Sequence, residues 1–299
     1  MHDAMPAFVT PAAAPAWKRW LVFSPLARIV IFVALMAAFG FAAFMLIKAA
    51  GFHGKTALPW QNALVQLLIR ALPALLAYLL LVRGLERRAP SELSLRKLLP
   101  YSMAGVALGT AQFSAVVGVL WLLGSYHVTG IRATADWLPA LLVVGLGAGI
   151  GEETMFRGVL FRIVEEGLGT WVALLVSAAF FGAAHLHNPG ATAWSSAAIA
   201  IEAGLLFGLL YHMTRSLYVC IGLHAAWNFV QGTVYGIPVS DLPVRGWLIS
   251  QRSGPDWLSG GGVGAEASVV ALALRTLCSA ALLIVALRRG SLVPPYWWR

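Results

Sequence analysis

Charge is what this sequence has least of. Only 11% of its 299 residues are Asp, Glu, Lys or Arg, and 60% are hydrophobic, whereas soluble domains carry roughly a quarter charged residues. That scarcity excludes an ordinary soluble domain. Cysteine is nearly absent too: Cys220 and Cys278 lie in separate apolar runs without partner spacing, so they carry no information on redox compartment or metal. There is no HExxH zinc signature and no internal repeat. No basic cluster is interleaved with aromatics, so the net charge of +9 does not point to nucleic acid, and no nucleic-acid partner is expected. The "AAAPA" stretch precedes the first apolar run rather than following it, which is not the order of a cleaved signal peptide.

What the chain has instead is apolar runs of membrane-crossing length. An apolar run needs about 20 residues to cross the ~30 Å hydrocarbon core as a helix, and lipid leaves such a run no other way to close its backbone hydrogen bonds. The pattern predicts an all-α, polytopic transmembrane bundle of about eight helices over residues 27–47, 61–82, 101–124, 137–161, 170–185, 193–213, 216–235 and 267–287. A segment 1–26 precedes this membrane domain of 27–290, and a short tail, 291–299, follows it. The long polar connection 237–266, rich in Gly, Pro and Ser, reads as a loop. With both termini in the cytoplasm, most Lys and Arg, led by Arg83, Arg87, Arg88, Arg96 and Lys97, fall inside, as the positive-inside rule requires. The setting expected is a bacterial inner membrane, with the lipid bilayer as a permanent partner.

Ionisable groups at membrane depth are costly, so each is a functional hypothesis. "GEETMFRG" carries Glu152, Glu153 and Arg157; "FFGAAHLHN" carries Phe181, His185 and His187; "GLHAAWNF" carries His224 and Asn228. Glu153 and Arg157 are four apart and share a helix face, as do His224 and Asn228. Glu152 is turned about 100° from Glu153 and points elsewhere. A turn near Gly167 to Gly169 puts Glu152 and His185 each roughly 24 Å along antiparallel helices. Arg162, Glu165 and Glu166 imply that the last turns emerge on the cytoplasmic side, which leaves Glu152 roughly 15 Å deep, and a turn near Thr214 to Ser216 leaves His224 roughly 14 Å deep. Glu152, His185, His224 and Asn228 are therefore expected at one level.

Each feature also has a structural reading alone: an ion pair bracing helices, a histidine near headgroups, polar glue between helices. Three such coincidences at one depth favour a site. Glu202 is expected to be neutral or hydrogen-bonded and structural, His187 and His212 interfacial, and Arg70 and Arg275 snorkelling or bundle-facing. The chemistry that fits the group is hydrolysis. A carboxylate in an apolar pocket can take a proton from water, an imidazole can hold that water, and His and Asn side chains can stabilise an oxyanion. Glu152, His185 and His224 could alternatively ligate zinc with an open position, and the residues alone leave metal-free and metal-bound water both open.

"EETMFR", "FGAAH" and "HAAWN", in that order on successive apolar segments, resemble the motifs of the CPBP intramembrane protease family, which includes type 2 CAAX prenyl proteases and bacteriocin-processing, Abi-like proteins. The resemblance covers a motif core of about 141–230. It implies an eight-helix membrane endopeptidase whose cavity opens to the cytoplasm, acting on a membrane-associated peptide or protein. It also implies Glu152 as general base, His185 as its partner, Glu153 paired with Arg157, Arg157 as support for the glutamates or the substrate, and His224 and Asn228 as the oxyanion pair. Between the metal-dependent and the glutamate-activated accounts that the resemblance brings, the metal-free water is favoured, with no cofactor expected, because zinc on Glu152, His185 and His224 would leave Asn228 needing a separate role. The competing classes are a transporter or channel with midplane charges, and a catalytically inactive peptide-binding or immunity protein.

Overall fold

The computed structural model describes residues 8–51 and 58–298; residues 1–7 of the N-terminal segment, Lys55 and Arg299 lie outside the described part. A short helix α1 (Ala16–Leu21) precedes α2 (Pro25–Ala49), α3 (Pro59–Leu85) and α4 (Leu95–Leu122). The next helical stretch, Trp137–His185, is 49 residues long and breaks at Gly169, where φ is 81° and ψ is 171°. Only glycine takes that conformation cheaply. The break makes two antiparallel arms, α5 (residues 137–168) and α6 (residues 170–185), which face each other through Phe156 and Phe181 and through a hydrogen bond from Ser177 Oγ to the Phe156 carbonyl. Then come α7 (Ala193–Thr214), α8 (residues 217–234) and α9 (Val269–Arg288). Among the described residues six helices are long and apolar enough to cross a membrane; with Trp137–His185 divided at Gly169 and α8 added, each of the eight apolar runs is helical, and the all-α polytopic bundle is the fold.

Local sequence explains the helix starts. Ser24 caps α2 ahead of Pro25, Thr192 and Ser195 form a reciprocal cap on α7, and Ser268 caps α9; each satisfies amide donors that lipid cannot. The passes differ in enclosure: 67% of the apolar window of α7 is buried against 6% of that of α2, so α7 is the central post and α2 a lipid-facing stave. Between α4 and α8 the backbones touch. A Cβ at Gly105 would collide with the Val219 carbonyl oxygen, and one at Gly222 with the Ser102 carbonyl oxygen. Small residues at such crossings let helices pack without a hydrophobic driving force, and this contact fixes the helix that carries His224 and Asn228.

Two features differ from the sequence expectation. The polar connection 237–266 is not a plain loop: its strand β2 (Leu248–Arg252) pairs antiparallel with β1 (Tyr126–Ile131), from Tyr126↔Arg252 to Ile131↔Leu248. The strands tie this connection into a cap on the membrane side opposite the termini. On the termini side, Arg162, Glu165 and Glu166 do not emerge into water. Arg162 and Glu165 are buried, because counter-charges on other helices satisfy them. Arg162 bonds Glu86 at 2.9 Å and Glu166 at 2.8 Å; Arg28 bonds Glu86 at 2.8 Å and Glu166 at 2.9 Å; Arg88 bonds Glu86 at 2.9 Å and Glu92 at 2.7 Å. Three arginines and three glutamates make a neutral cluster joining α2, α5 and the α3–α4 link. Glu165 belongs to a second group, with Arg215, His212 (2.6 Å) and Thr170 (2.9 Å). His212 is thus buried between helices rather than interfacial, and its Nε2 meets Ser291 Oγ of the tail at 3.3 Å. His187 is exposed, as an interfacial residue should be.

The cluster generates a pH dependence. Burial alone would raise the pKa of Glu86 and Glu92, but the guanidiniums of Arg162, Arg28 and Arg88 around Glu86, and of Arg88 and Arg162 around Glu92, outweigh it and hold both below the ordinary 4.5. Carboxylates held lower in the folded state stabilise it above the unfolded value, and that contribution is lost as pH falls through and beyond it. In detergent, the thermal midpoint should be flat near neutrality and fall progressively below pH 4.5. Glu86→Gln should lower the midpoint at pH 7 and flatten its acid limb; an unchanged limb would remove the cluster from the acid response.

Candidate active site

Four of the residues singled out by the motifs line one cavity of about 290 Å³: Glu152 from α5, His185 from α6, and His224 and Asn228 from α8. The Gly169 break brings α6 back alongside α5, and His185 Nε2 stands 4.0 Å from Glu152 Oε2. These are the accessible members, with side-chain exposures of 31% for Glu152 and 14% for His185. His185 Nδ1 meets the Phe181 carbonyl at 2.7 Å. A carbonyl only accepts, so the proton sits on Nδ1 and Nε2 presents its lone pair toward Glu152.

Glu153 and Arg157 do not line the cavity; they lie behind it, both with 0% side-chain exposure, paired at 3.1 Å. The i,i+4 pairing is as expected, although the helix widens to i→i+5 bonding from Thr154 to Phe161. Arg157 also donates to the carbonyls of Ala203 and Gly204 and lies over the rings of Phe181 and Phe207 at 4.5 and 4.8 Å. It is walled off from any substrate in the cavity, so its support falls on the glutamates and on α7. Glu153 has a second partner that spacing could not reveal: His224 Nδ1 at 2.8 Å. The carboxylate fixes the tautomer and orientation of that ring, which stacks on Phe207. Asn228 Nδ2 donates one hydrogen to the Val144 carbonyl at 2.9 Å, which leaves its second hydrogen for another acceptor.

The cavity has further polar walls. Glu202 on α7 pairs with Arg275 on α9 at 3.1 Å, and both line it. Glu202 is therefore paired rather than a lone structural carboxylate; its partner lies on another apolar run, where helical spacing gives no signal. Arg275 faces the bundle and stacks on Trp227 at 4.2 Å. Arg70 is exposed at the rim. Glu266, reached from the cap, accepts from Gln231 Nε2 at 2.5 Å and from Ser240 N and Oγ at 2.7 and 2.9 Å. Burial pushes its pKa up, against those donors. An acidic residue in a polar connection carries no sequence signal of this kind.

Zinc is testable on the side chains. Among the described residues no group of three or more His, Cys, Asp or Glu is arranged to hold a metal ion, so Glu152, His185 and His224 share a cavity without forming a ligand cluster.

Residues 134–230 match the family described as Type II CAAX prenyl endopeptidase, Rce1-like. This segment is similar to the CPBP/CAAX-protease core. The match spans all three motifs and ends at the close of α8's site-bearing turns; no curated protein and no solved structure matches the chain. The cavity meets connections on the side away from the termini: Asn188, Val239, Ser240, Leu242 and Glu266 line it there. Toward the termini the bundle is closed by packed Phe161, Leu174, Leu210, Tyr211 and Leu217. A cavity opening to the cytoplasm and cytoplasmic termini are thus incompatible in this fold.

The buried pair yields a stability test. Removing one partner strands a buried charge, which costs ~3–5 kcal/mol, so Arg157→Ala should lower the thermal midpoint or the yield of folded protein along with any activity. A variant as stable as the parent would show that the Glu153–Arg157 pair does not brace the bundle.

Proposed function

We propose that the chain is an intramembrane endopeptidase that hydrolyses membrane-associated peptides with a water activated by Glu152. The carrying observation is the facing of the Glu152 carboxylate and the His185 Nε2 lone pair, 4.0 Å apart at the accessible wall of the cavity. Both groups accept hydrogen bonds, so a water between them gives one hydrogen to each and turns its own lone pair outward. Attack on a peptide carbonyl transfers the water proton to Glu152, which returns it to the departing amine. The products are one carboxyl and one amine, with no other reactant. The oxyanion formed on the way is met by the free Nδ2 hydrogen of Asn228 and by the Nε2 edge of His224, whose Nδ1 is held by the Glu153 carboxylate. The family match supports endopeptidase activity of the CAAX type in general; the glutamate mechanism rests on the geometry.

Glu152→Gln should abolish cleavage of membrane peptides while leaving the thermal midpoint close to parental, because Gln keeps the shape and Glu153 keeps its partners. Asn228→Ala should lower the rate by about 10²–10³. Parental turnover in Glu152→Gln would overturn the protease mechanism. Loss of activity to a chelator, restored by zinc, would replace the metal-free water with a metal-bound one.

We further infer that both termini are cytoplasmic, since the termini side carries Lys18, Arg19, Arg83, Arg87, Arg96 and Lys97. In this orientation the cavity is reached from the cap side. A reporter fused after Arg299 should be active in the cytoplasm, and a cysteine at Leu242, 38% exposed at the rim, should react with a membrane-impermeant maleimide added outside intact cells. Labelling only after the cells are opened would invert the topology.

A further inference from the structure

Away from the cavity, on the termini side, residues 11–23 fold back across the start of α2 and the end of α3. Arg19 pins this segment through the carbonyls of Ala14 and Ala12 at 2.8 and 2.7 Å, and Ser24 Oγ holds the Trp20 carbonyl at 2.7 Å. Between the segment and the two helices runs a groove of about 590 Å³. Its apolar walls are Val22, Phe23, Ile31 and Leu35 on one side and Leu80 and Leu81 on the other. From the start of α2 to Leu35 is about 15 Å at 1.5 Å per residue, half of the ~30 Å hydrocarbon core. The groove is as deep as one leaflet.

Its charge is confined to one end. Lys18 and Arg87 are the charged residues lining it, and both sit at the level where α2 begins and α3 ends. Their neighbours Arg28, Arg88 and Arg162 are all neutralised by glutamates, whereas among the described residues Lys18 and Arg87 form no ion pair; Lys18 only lies 5.3 Å from the Trp17 ring. Arg87 adopts a φ of +51°, uncommon for a residue with a side chain. That turn sends Glu86 and Arg88 into the buried cluster and leaves Arg87 exposed at the groove. Trp17 and Trp20, 58% and 75% exposed, flank it as headgroup-level aromatics do.

We propose that this groove is a binding site for one anionic phospholipid of the surrounding leaflet, with an acyl chain between α2 and α3 and the phosphate between Lys18 and Arg87. Two cations without carboxylates above a leaflet-deep apolar slot match a headgroup of net negative charge; a zwitterionic headgroup would bring its own ammonium against them. The site is separate from the protease cavity, so its fate and that of the proposed activity are independent.

The test uses the full-length protein purified in detergent, titrated with phosphatidylglycerol or with phosphatidylcholine of the same acyl chains, and followed by thermal denaturation and by native mass spectrometry. Phosphatidylglycerol should raise the midpoint and remain bound in preference to phosphatidylcholine. Lys18→Gln with Arg87→Gln should lower that preference about tenfold or more, each cation near a headgroup being worth roughly a fivefold factor, while leaving the lipid-free midpoint unchanged. Leu35→Trp, which fills the chain path, should weaken binding of both lipids. Equal response to the two lipids, a preference untouched by the double substitution, or the same stabilisation from glycerol phosphate without acyl chains would overturn the proposal.

Discussion

The constraint on which everything else depends is that a charge in a dry bundle must be answered by a partner. Nearly every buried ionisable side chain here obeys it, some through a partner one turn away and others through a contact between helices far apart in sequence. Arg28, Arg88 and Arg162 meet Glu86, Glu92 and Glu166 at one membrane face; Arg215 and His212 meet Glu165; Arg157 meets Glu153; Arg275 meets Glu202. Among the carboxylates of the cavity two have no guanidinium. Glu266 is filled by Gln231 and Ser240 instead. Glu152 has neither, only an imidazole at 4.0 Å and a solvent-reachable position. A carboxylate left without a neutralising partner, in a chain that supplies one almost everywhere else, is the strongest structural reason to regard Glu152 as the reacting group.

The same pairs that make the charges tolerable also set the geometry of the chemistry. Glu153 neutralises Arg157 and, through the same Oε1 atom, holds His224 Nδ1. Arg157 in turn reaches the Ala203 and Gly204 carbonyls, so that α5, α7 and α8 are linked through one buried guanidinium and one carboxylate. Under the proposed mechanism, stability and alignment of the site are therefore not separable at Glu153 and Arg157, in contrast to Glu152, whose removal strands no partner. This division explains why a motif with two adjacent glutamates needs both: one belongs to the bundle and one to the cavity, placed on different faces by a rotation of about 100° per residue.

How much of this was readable beforehand follows from the range of each interaction. The helical passes were legible because hydrocarbon thickness imposes their length, and the common depth of Glu152, His185, His224 and Asn228 followed from counting residues from two tight turns. The Glu153–Arg157 pair was legible because it lies within one helix. Glu202–Arg275, His224–Glu153 and the Arg28–Glu86–Arg162 links were not, because each joins separate helices, and the angle at which a helix presents its faces is set by packing such as the Gly105–Gly222 crossing. His212 was misread for the same reason: its position near a helix end suggested headgroups, but Glu165 and the returning tail enclose it. The cap was hidden by its composition, since Gly, Pro and Ser mark a loop equally well whether it trails in water or is held by β1.

That cap bears on how a hydrolase can work inside a membrane at all. Hydrolysis needs water beside a peptide bond, while the bundle needs the hydrocarbon excluded from its polar interior. Here the packed layer of Phe161, Leu174, Tyr211 and Leu217 closes the cavity on one side, and the strand-braced connection 237–266 covers the other with Ser240 and Glu266 facing inward. The exposed members of the wall, Arg70, Ala184 and Leu242, come from α3, α6 and the cap. In the proposed hydrolysis, a substrate segment reaching the wall would meet the more exposed Glu152 and His185 before the buried His224. The proposed base and its water would thus come before an oxyanion donor, which is the order in which hydrolysis would use them.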